Sequence, residues 1–179
     1  ANDTVVHISP LMPRAATPYP ACAARLVLAS PDGEVIAALR EDLGDRQDVA
    51  ILNAAILEPN ACSVLNRYAL DEFNGFRAPT GLLHIYPGLQ REGTAPVTAR
   101  AAADLVASMP CDSKNSDLLI IQMPGEEKEI LAGLAQVDAL TRFGQVVFDI
   151  GRHPLFEGSD SAANMCEWLT KRGFDFVEE

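Results

Sequence analysis

The chain has 179 residues, of which 48% are hydrophobic, and it carries a net charge of -11 with an isoelectric point near 4.6. This length suits one globular domain, because a chain of about 150 residues already buries roughly 70% of the surface that it exposes when unfolded. The positive residues are scattered and the net charge is negative, which argues against a nucleic-acid surface and against an anionic-membrane surface.

The cysteines and histidines form no motif typical of a metal or redox site. There are four cysteines and three histidines, all well separated, with no CxxC pair: Cys22, Cys62, Cys111 and Cys166, and His7, His84 and His153. Four cysteines permit three disulfide pairings, but we favour isolated thiols, because a domain of this size folds without bridges. No apolar run approaches the roughly 18 residues of a membrane helix and no signal peptide opens the chain, so we expect a cytoplasmic protein.

The first third of the chain predicts a short strand followed by a β-α-β unit. β-branched residues favour strands, and apolar residues at every fourth position favour a helix. Closely spaced prolines exclude a helix. The predicted elements are a strand at Thr4–Ile8, an extended loop at residues 9–20, a strand at Arg25–Ser30, a helix carrying Val35, Leu39 and Leu43 that ends at Gly44, and a strand at Asp48–Ile56.

The segment at residues 57–99 carries a weaker signal, since prolines and glycines interrupt short apolar runs there. Structureless loops of more than about 12 to 15 residues are uncommon in compact domains, so we expect an inserted hairpin or a lid-like segment. We call this segment the insertion. A helix is predicted after it, at Arg100–Met109.

The most informative stretch is Asp117–Leu134. Its first half, which we call the organising strand, is an unbroken apolar run typical of a central strand covered on both faces, and a Pro-Gly turn leads from it into a helix that begins with acidic residues. The helix carries Ile130, Leu134 and Val137 at helical spacing. The remaining predicted elements are a strand at Gln145–Ile150, a helix from about Ser159 with Met165, Trp168 and Leu169 on one face and a stop at Gly173, and a strand at Phe174–Val177.

Strands and helices that alternate along the whole chain predict one doubly wound α/β domain with a mostly parallel sheet, spanning residues 1–179. Ligands of such sheets bind beyond the carboxyl ends of the strands. A site, if the protein has one, is therefore expected around Gln122–Glu127.

Several of these stretches resemble the FkbM-type branch of S-adenosylmethionine-dependent methyltransferases. Asp117–Glu127 is similar to the family's D-L-L-K-I-D-V-E-G-A-E strand and turn, and the flanking matches are Ser30–Asp32 to E-P-N, Leu52–Ala55 to L-N-A-A, Val146–Asp149 to a hydrophobic strand ending in an acid, and Leu169–Phe174 to L-x-x-x-G-F/Y. The resemblance implies a Rossmann-like methyltransferase fold from Arg25 onward and S-adenosylmethionine as the cofactor.

The departures from the family pattern fall on the residues that would hold this cofactor. The turn after the first strand has no glycine, Ser30 replaces the acid expected to bind the ribose, and Ala101–Ala103 replaces the triplet T-L-D. Of three acids after the organising strand, only Glu127 is kept. We therefore expect a domain that has lost S-adenosylmethionine binding, has no other cofactor, and acts as a non-catalytic binding or docking module for a protein partner or a neighbouring domain.

The alternative is an active O-methyltransferase acting on a sugar or a small hydroxylated metabolite. Its catalytic residues would be Glu127, Asp149 and His153, with Glu127 or His153 as the general base that removes the hydroxyl proton. Its cofactor-binding residues would be Ser30, Asn53 and Gln122. Each catalytic candidate also has a structural interpretation: Glu127 favours a helix N-terminus, Asp149 caps a turn, and His153 is an exposed loop residue. An unrelated α/β enzyme is the third hypothesis.

The docking hypothesis also makes a structural prediction of its own. If the domain is a partner surface, the apolar residues of Leu82–Tyr86 and the proline loop at Pro10–Pro20 should form one exposed patch.

Overall fold

The computed structural model describes residues 4–9, 25–43, 46–58, 64–109 and 116–177. Its strands and helices are, in chain order, β1 (Thr4–Ile8), β2 (Arg25–Ser30), α1 (Gly33–Leu43), β3 (Val49–Asn53), β4 (Ala55–Ile56), β5 (Val64–Tyr68), α2 (Leu82–Ile85), β6 (Arg91–Pro96), β7 (Ala99–Arg100), α3 (Ala102–Ala107), β8 (Asp117–Ile121), α4 (Glu127–Gln136), β9 (Phe143–Phe148) and α5 (Ala162–Thr170).

Five of these strands form a central sheet in the order β3-β2-β1-β8-β9, with every neighbouring pair parallel. The chain moves outward from β1 to β2 and β3, and later crosses back to place β8 on the other side of β1. This reversal between β1 and β8 is the topological switch point, where open α/β sheets leave a crevice between neighbouring crossovers.

The two faces of the sheet carry separate hydrophobic clusters because side chains alternate along each strand. One face packs Val6 and Leu119 against α3, α4 and α5, and the other packs Val5 and Leu28 against Leu39 of α1. Helices on both faces of a parallel sheet confirm the predicted α/β, Rossmann-like doubly wound fold. The organising strand is confirmed as an interior strand of this sheet, β8, which lies between β1 and β9 as its unbroken apolar run predicts.

Several predicted boundaries are wrong, each for an identifiable reason. The strand expected at Asp48–Ile56 breaks at Ala54, because its last two residues leave the sheet as β4 and pair with β7. That pairing also delays the helix expected from Arg100, so that α3 starts at Ala102. The strand expected at Gln145–Ile150 lies two residues earlier, as β9, where Phe143 pairs with Asp117.

The C-terminal prediction is also wrong in part. Gly173 ends the last helix with a φ of 87°, as expected for a glycine stop. The strand predicted at Phe174–Val177 does not form, and Phe176 and Val177 are exposed. Val137, expected on the buried stripe of its helix, lies just beyond α4 and is 42% exposed.

Some predictions fall outside the described residues, namely the proline loop from Pro10 to Pro20, the helix stop at Gly44, and the thiols of Cys22, Cys62 and Cys111. Cys166 lies on α5 and is a free thiol.

The insertion contains an antiparallel hairpin, one of the two arrangements expected for it. Strands β5 and β6 pair along their length, from Val64 opposite Pro96 to Tyr68 opposite Arg91. Strand β7 closes the segment by pairing with β4. Between the two strands, α2 bonds to the loop after β9, where the amides of Thr80 and Leu82 both donate to the carbonyl of Leu155. The insertion is therefore fastened to the carboxyl side of β9 by backbone hydrogen bonds.

The amino edge of the sheet is held by a buried carboxylate. Asp117 is completely buried at the start of β8, where its Oδ1 accepts a hydrogen bond of 3.0 Å from the amide of Thr4 in β1. Its Oδ2 lies 3.6 Å from Nη2 of Arg142. The carboxylate thus joins the starts of two central strands to the segment that leads into β9.

Replacing Asp117 with alanine should lower the free energy of unfolding by about 3 kcal/mol, because Arg142 would lose its counter-ion and the Thr4 amide its acceptor. Urea denaturation measures the change. Asp104→Ala, at an exposed position on α3, is the control and should leave stability close to that of the wild type. Equal stability of the two variants would show that the buried carboxylate does not hold this edge.

Candidate functional site

The candidate site is a cleft at the switch point, over the carboxyl ends of β1, β2 and β8. The cleft has a volume of about 30 Å³ and is partly open to solvent, so it is far smaller than the roughly 300 Å³ of the smallest typical ligand pockets. Sheet residues form one wall and the insertion forms the other. The polar and apolar side chains that line it include Ser9, Ser30, Asp32, Leu65, Asn74 and Gln122.

Ser9 follows β1 at the position where a nucleotide-binding sheet usually has its first glycine. Its φ is 55°, in the left-handed region that residues with a Cβ rarely adopt. Its amide donates to the carbonyl of Ala29 over 2.6 Å, and its Oγ donates to Sδ of Met123 over 3.6 Å. The backbone thus makes the turn that a glycine would make, but the side chain occupies the space that glycine leaves open.

Gln122, at the end of β8, is bonded to the histidine of β1. Oε1 of Gln122 lies 2.7 Å from Nε2 of His7, and because an amide oxygen only accepts, the imidazole donates from Nε2. Burial lowers the pKa of His7 to about 4, while the bond to Gln122 acts to raise it. The imidazole is therefore neutral at pH 7, and the pair satisfies two polar side chains in the middle of the sheet.

Ser30, at the end of β2, is also used within the chain. Its Oγ accepts a hydrogen bond of 3.2 Å from the amide of Asp32, which fixes the turn into α1. Asn53, the third predicted cofactor residue, pairs in register with Ser30 but is exposed on the neighbouring strand and does not line the cleft. The structure thus brings Ser30 and Gln122 together in the cleft and leaves Asn53 outside it.

Glu127 is 7% exposed in the first turn of α4. Its Oε1 accepts a hydrogen bond of 3.1 Å from the amide of Gly125, which has a φ of 85° in the turn after β8. Burial raises the pKa of the Glu127 carboxyl to about 7, and the backbone hydrogen bonds that it accepts act to lower it. The side chain folds back over its own turn and does not line the switch-point cleft.

The other two predicted catalytic residues lie apart from the cleft. Asp149 is exposed directly after β9, and His153 is exposed in the tight loop that follows. In that loop a Cβ on Gly151 would lie only 2.7 Å from the carbonyl oxygen of His153. Neither side chain lines the cleft or bonds to Glu127 in the described part of the molecule, so the three predicted catalytic residues are not assembled around one point.

Two arginines of the insertion are the site residues that the sequence analysis missed. Arg77 donates from Nε to Oε1 of Glu126 over 2.8 Å, pairs with Glu129 over 2.6 Å, and donates to the carbonyl of Glu157. Burial raises the pKa of Glu126, while Arg77 acts to lower it. The guanidinium therefore neutralises the acidic start of α4.

The second arginine, Arg67, lies on β5 and bonds to Asp32, which lines the cleft. Its Nη2 pairs with Asp32 over 2.9 Å and its Nη1 with Glu34 over 3.0 Å. No local pattern marks either arginine, because their partners lie 33 to 80 residues away in sequence. The sequence predicted only that residues 57–99 form an inserted hairpin or a lid-like segment.

A second cleft, of about 70 Å³, lies between α3 and α4, away from the switch point. It is lined mainly by apolar side chains such as Ile56, Ile130 and Val137, with Glu58 and Glu129 among its polar residues. Although it is the larger of the two, it carries no converging set of polar groups of the kind that orients a ligand. We therefore take the switch-point cleft as the candidate site.

Comparisons with family models, with curated proteins and with solved structures find no match to this chain. In the part of the chain that the structure describes, no helix combines the length and apolar character needed to cross a bilayer. Within the same residues, no group of three or more His, Cys, Asp or Glu side chains is arranged to hold a metal ion.

The raised pKa of Glu127 predicts a pH dependence of stability. The folded pKa of about 7 exceeds the ordinary value of 4.5, so the folded state binds the proton more tightly than the unfolded state. The contribution of Glu127 to stability should fall as pH rises from 4.5 to 7, by an amount on the order of 3 kcal/mol, because the ionised carboxylate is the form that burial disfavours. The lowered pKa of His7 acts in the opposite direction between about pH 4 and 6.5, so the contribution of Glu127 is read from the difference between the wild type and a variant of Glu127.

The variant Glu127→Gln should lose most of this fall, because the amide stays neutral and its oxygen still accepts from Gly125. Urea unfolding at a series of pH values between 4.5 and 8 measures the difference from the wild type. The exposed Glu72→Gln is the control and should keep the wild-type profile. If Glu127→Gln and the wild type show the same profile, Glu127 does not titrate in this range.

Proposed function

We propose that this protein is a methyltransferase-like α/β domain, of the FkbM type, that has lost S-adenosylmethionine binding and acts as a non-catalytic docking module. The observation that carries the proposal is that polar side chains at the switch point already bond within the chain. Ser9 bonds to Met123, Ser30 to the amide of Asp32, and Gln122 to His7.

A nucleoside cofactor would have to form hydrogen bonds with these same side chains. The ribose of a nucleotide is usually held by a carboxylate at the end of the second strand, and a charged acceptor makes a hydrogen bond about twice as strong as a neutral one. Here the neutral Ser30 stands at that position, and the nearby carboxylate of Asp32 is paired with Arg67. Binding the cofactor would require breaking internal bonds in a partly buried site, and each such bond has a free-energy cost.

The turn after β1 supports the same conclusion. Glycines allow a cofactor to approach the backbone closely in nucleotide-binding sheets. Ser9 is 7% exposed, and its side chain bonds to Met123. It therefore occupies the space through which a cofactor would approach the backbone of this turn. The residues present therefore do not suit S-adenosylmethionine, and we derive no catalytic step through it.

The insertion supplies the surface for docking. Five of its large apolar residues are exposed: Val64, Leu70, Leu83, Ile85 and Tyr86. Tyr86 packs against Phe73 with ring centroids 5.1 Å apart, and Phe73 donates its amide to the carbonyl of Leu70. The ring contact joins the turn at Phe73 to the end of α2, and we call Leu70, Phe73, Leu83, Ile85 and Tyr86 the insertion patch. Contiguous apolar surfaces of this kind are typical of binding sites.

Part of the predicted docking surface differs from this patch. Leu82, the first residue of the predicted apolar run, is 2% exposed and packs inward, so the helix α2 presents only its other side. The proline loop, the second half of the prediction, lies outside the described residues.

Loss of the cofactor site predicts that S-adenosylmethionine leaves the melting temperature unchanged. A ligand at about one hundred times its dissociation constant stabilises a protein by roughly 2.7 kcal/mol, which calorimetry or dye-based melting detects readily. Both S-adenosylmethionine and S-adenosylhomocysteine should be tested at millimolar concentration. A reproducible rise in melting temperature with either compound would favour the active O-methyltransferase instead.

The docking role predicts that the insertion patch contacts another protein in the cell. A photo-crosslinking amino acid at Ile85 should give a discrete adduct on irradiation, identified by mass spectrometry, whereas the same group at the exposed Glu41 of α1 should not. Adding Tyr86→Asp should abolish the adduct, because a charge in the centre of an apolar contact is costly to desolvate. Adducts of equal yield at both positions, or at neither, would contradict the docking role.

A further inference from the structure

We propose that the β5–β6 hairpin of the insertion is a hinged lid over the switch-point cleft, held closed by the ion pairs of Arg67. The two sides of the insertion are fastened in different ways. On the β8 and β9 side, the residues between Gly75 and Leu82 are fixed to the core by backbone hydrogen bonds and close packing. On the β2 and α1 side, the hairpin is held by Arg67.

The fixed side has several kinds of contact. Pro79 bridges to Phe156, and the amide of Glu157 donates to the carbonyl of Ala78. A Cβ on Gly75 would lie 3.2 Å from the carbonyl oxygen of Pro124, so the backbones approach closely there. Such contacts exclude water and do not depend on charge. This part of the insertion is suited to serve as the hinge.

On the other side, the hairpin buries Leu65 and is otherwise held by charged groups. Among the described residues, the hydrogen bonds and ion pairs between the hairpin and the β2–α1 side all come from one guanidinium, that of Arg67, to Asp32 and Glu34. Glu34 is 83% exposed and Asp32 is 16% exposed, so at least one of the pairs is in contact with water. Exposed ion pairs are weak and are screened by salt. We call this pair of contacts the latch.

The cleft lies between the hinge and the latch. Leu65 and Asn74 of the insertion form one wall, and Ser30, Asp32 and Gln122 form the other, so outward rotation of the hairpin would uncover the cleft floor. Leu65 is 2% exposed with the latch closed and is two residues from Arg67 on the same strand. Opening the latch should therefore expose Leu65 before the rest of the core. The mechanism holds whatever the cleft binds.

The test measures the exposure of position 65 by thiol labelling in the intact chain. Leu65→Cys is made in a background in which Cys22, Cys62, Cys111 and Cys166 are alanine, and its reaction rate with a water-soluble disulfide reagent is divided by the rate in urea. Under conditions where reclosing is fast, the normalised rate reports the fraction of molecules that are open.

Adding Arg67→Gln should raise the normalised rate by roughly two- to tenfold, the range expected for losing one or two exposed ion pairs. Raising sodium chloride from about 0.05 M to about 1 M should accelerate labelling in the protein that keeps Arg67. The same change in salt should have little effect in the Arg67→Gln variant, because screening acts only on an intact latch.

Arg91→Gln is the matched control. Arg91 lies on β6 of the same hairpin, and its Nη1 donates to Oδ1 of Asn66 within the hairpin, so its loss removes the same charge without touching the latch. A second reporter, Met165→Cys on α5, detects global unfolding, since Met165 is 1% exposed. Arg91→Gln should raise the labelling rate of Leu65→Cys less than Arg67→Gln does. Arg67→Gln should raise the labelling rate of Met165→Cys less than it raises that of Leu65→Cys.

Three results would overturn the proposal. The labelling rate of Leu65→Cys could be the same with and without Arg67, it could rise equally in Arg91→Gln, or Met165→Cys could accelerate as much as Leu65→Cys. The first outcome would mean that Arg67 does not hold the hairpin closed. The second would point to net charge and the third to general loss of stability.

Discussion

The requirement to satisfy buried polar groups at the switch point determines much of this structure. A parallel sheet gathers the carboxyl ends of its strands at one edge, and polar side chains that lie there out of contact with water must be hydrogen-bonded. In a ligand-binding domain the ligand can meet part of that requirement. Here His7 and Gln122 form a hydrogen bond with each other, and Ser9 forms one with Met123. This internal pairing is the observation on which the proposal of a lost cofactor site rests.

The insertion extends this internal pairing to charged groups. The start of α4 carries three glutamates at residues 126, 127 and 129, a repulsive arrangement that the positive end of the helix only partly offsets. Arg77 pairs with Glu126 and Glu129, while Glu127 is left with a backbone amide and a raised pKa. The first turn of α4 therefore depends on a residue of the insertion. Arg77 adds ion pairs to the backbone contacts on this side, whereas on the other side the ion pairs between the described residues come from Arg67, one of whose partners, Glu34, is exposed.

Predictions from the sequence were most accurate where a structural feature depends on residues that are close together in the chain. The apolar run of β8 is a local pattern, and it correctly indicated a central strand of a parallel sheet. Val137 and the Phe174–Val177 segment have equally suggestive local patterns, yet Val137, Phe176 and Val177 are exposed, because nothing packs over them in the described part of the fold. The break at Ala54 was not predictable, because it arises from pairing with residues more than forty positions later in the chain.

The sequence by itself determined the fold class, the position of the organising strand and the absence of glycine from the turn after β1, since each depends on residues that are close together in the chain. The tertiary structure alone decided how the polar residues of the carboxyl edge are used. Ser30 and Gln122, which the sequence predicted as cofactor-binding residues, form hydrogen bonds to the amide of Asp32 and to His7 in the structure. Glu126 pairs with Arg77, which lies 49 residues away in sequence. Side-chain pairing over such a separation depends on how the chain folds back on itself, and no local pattern encodes it.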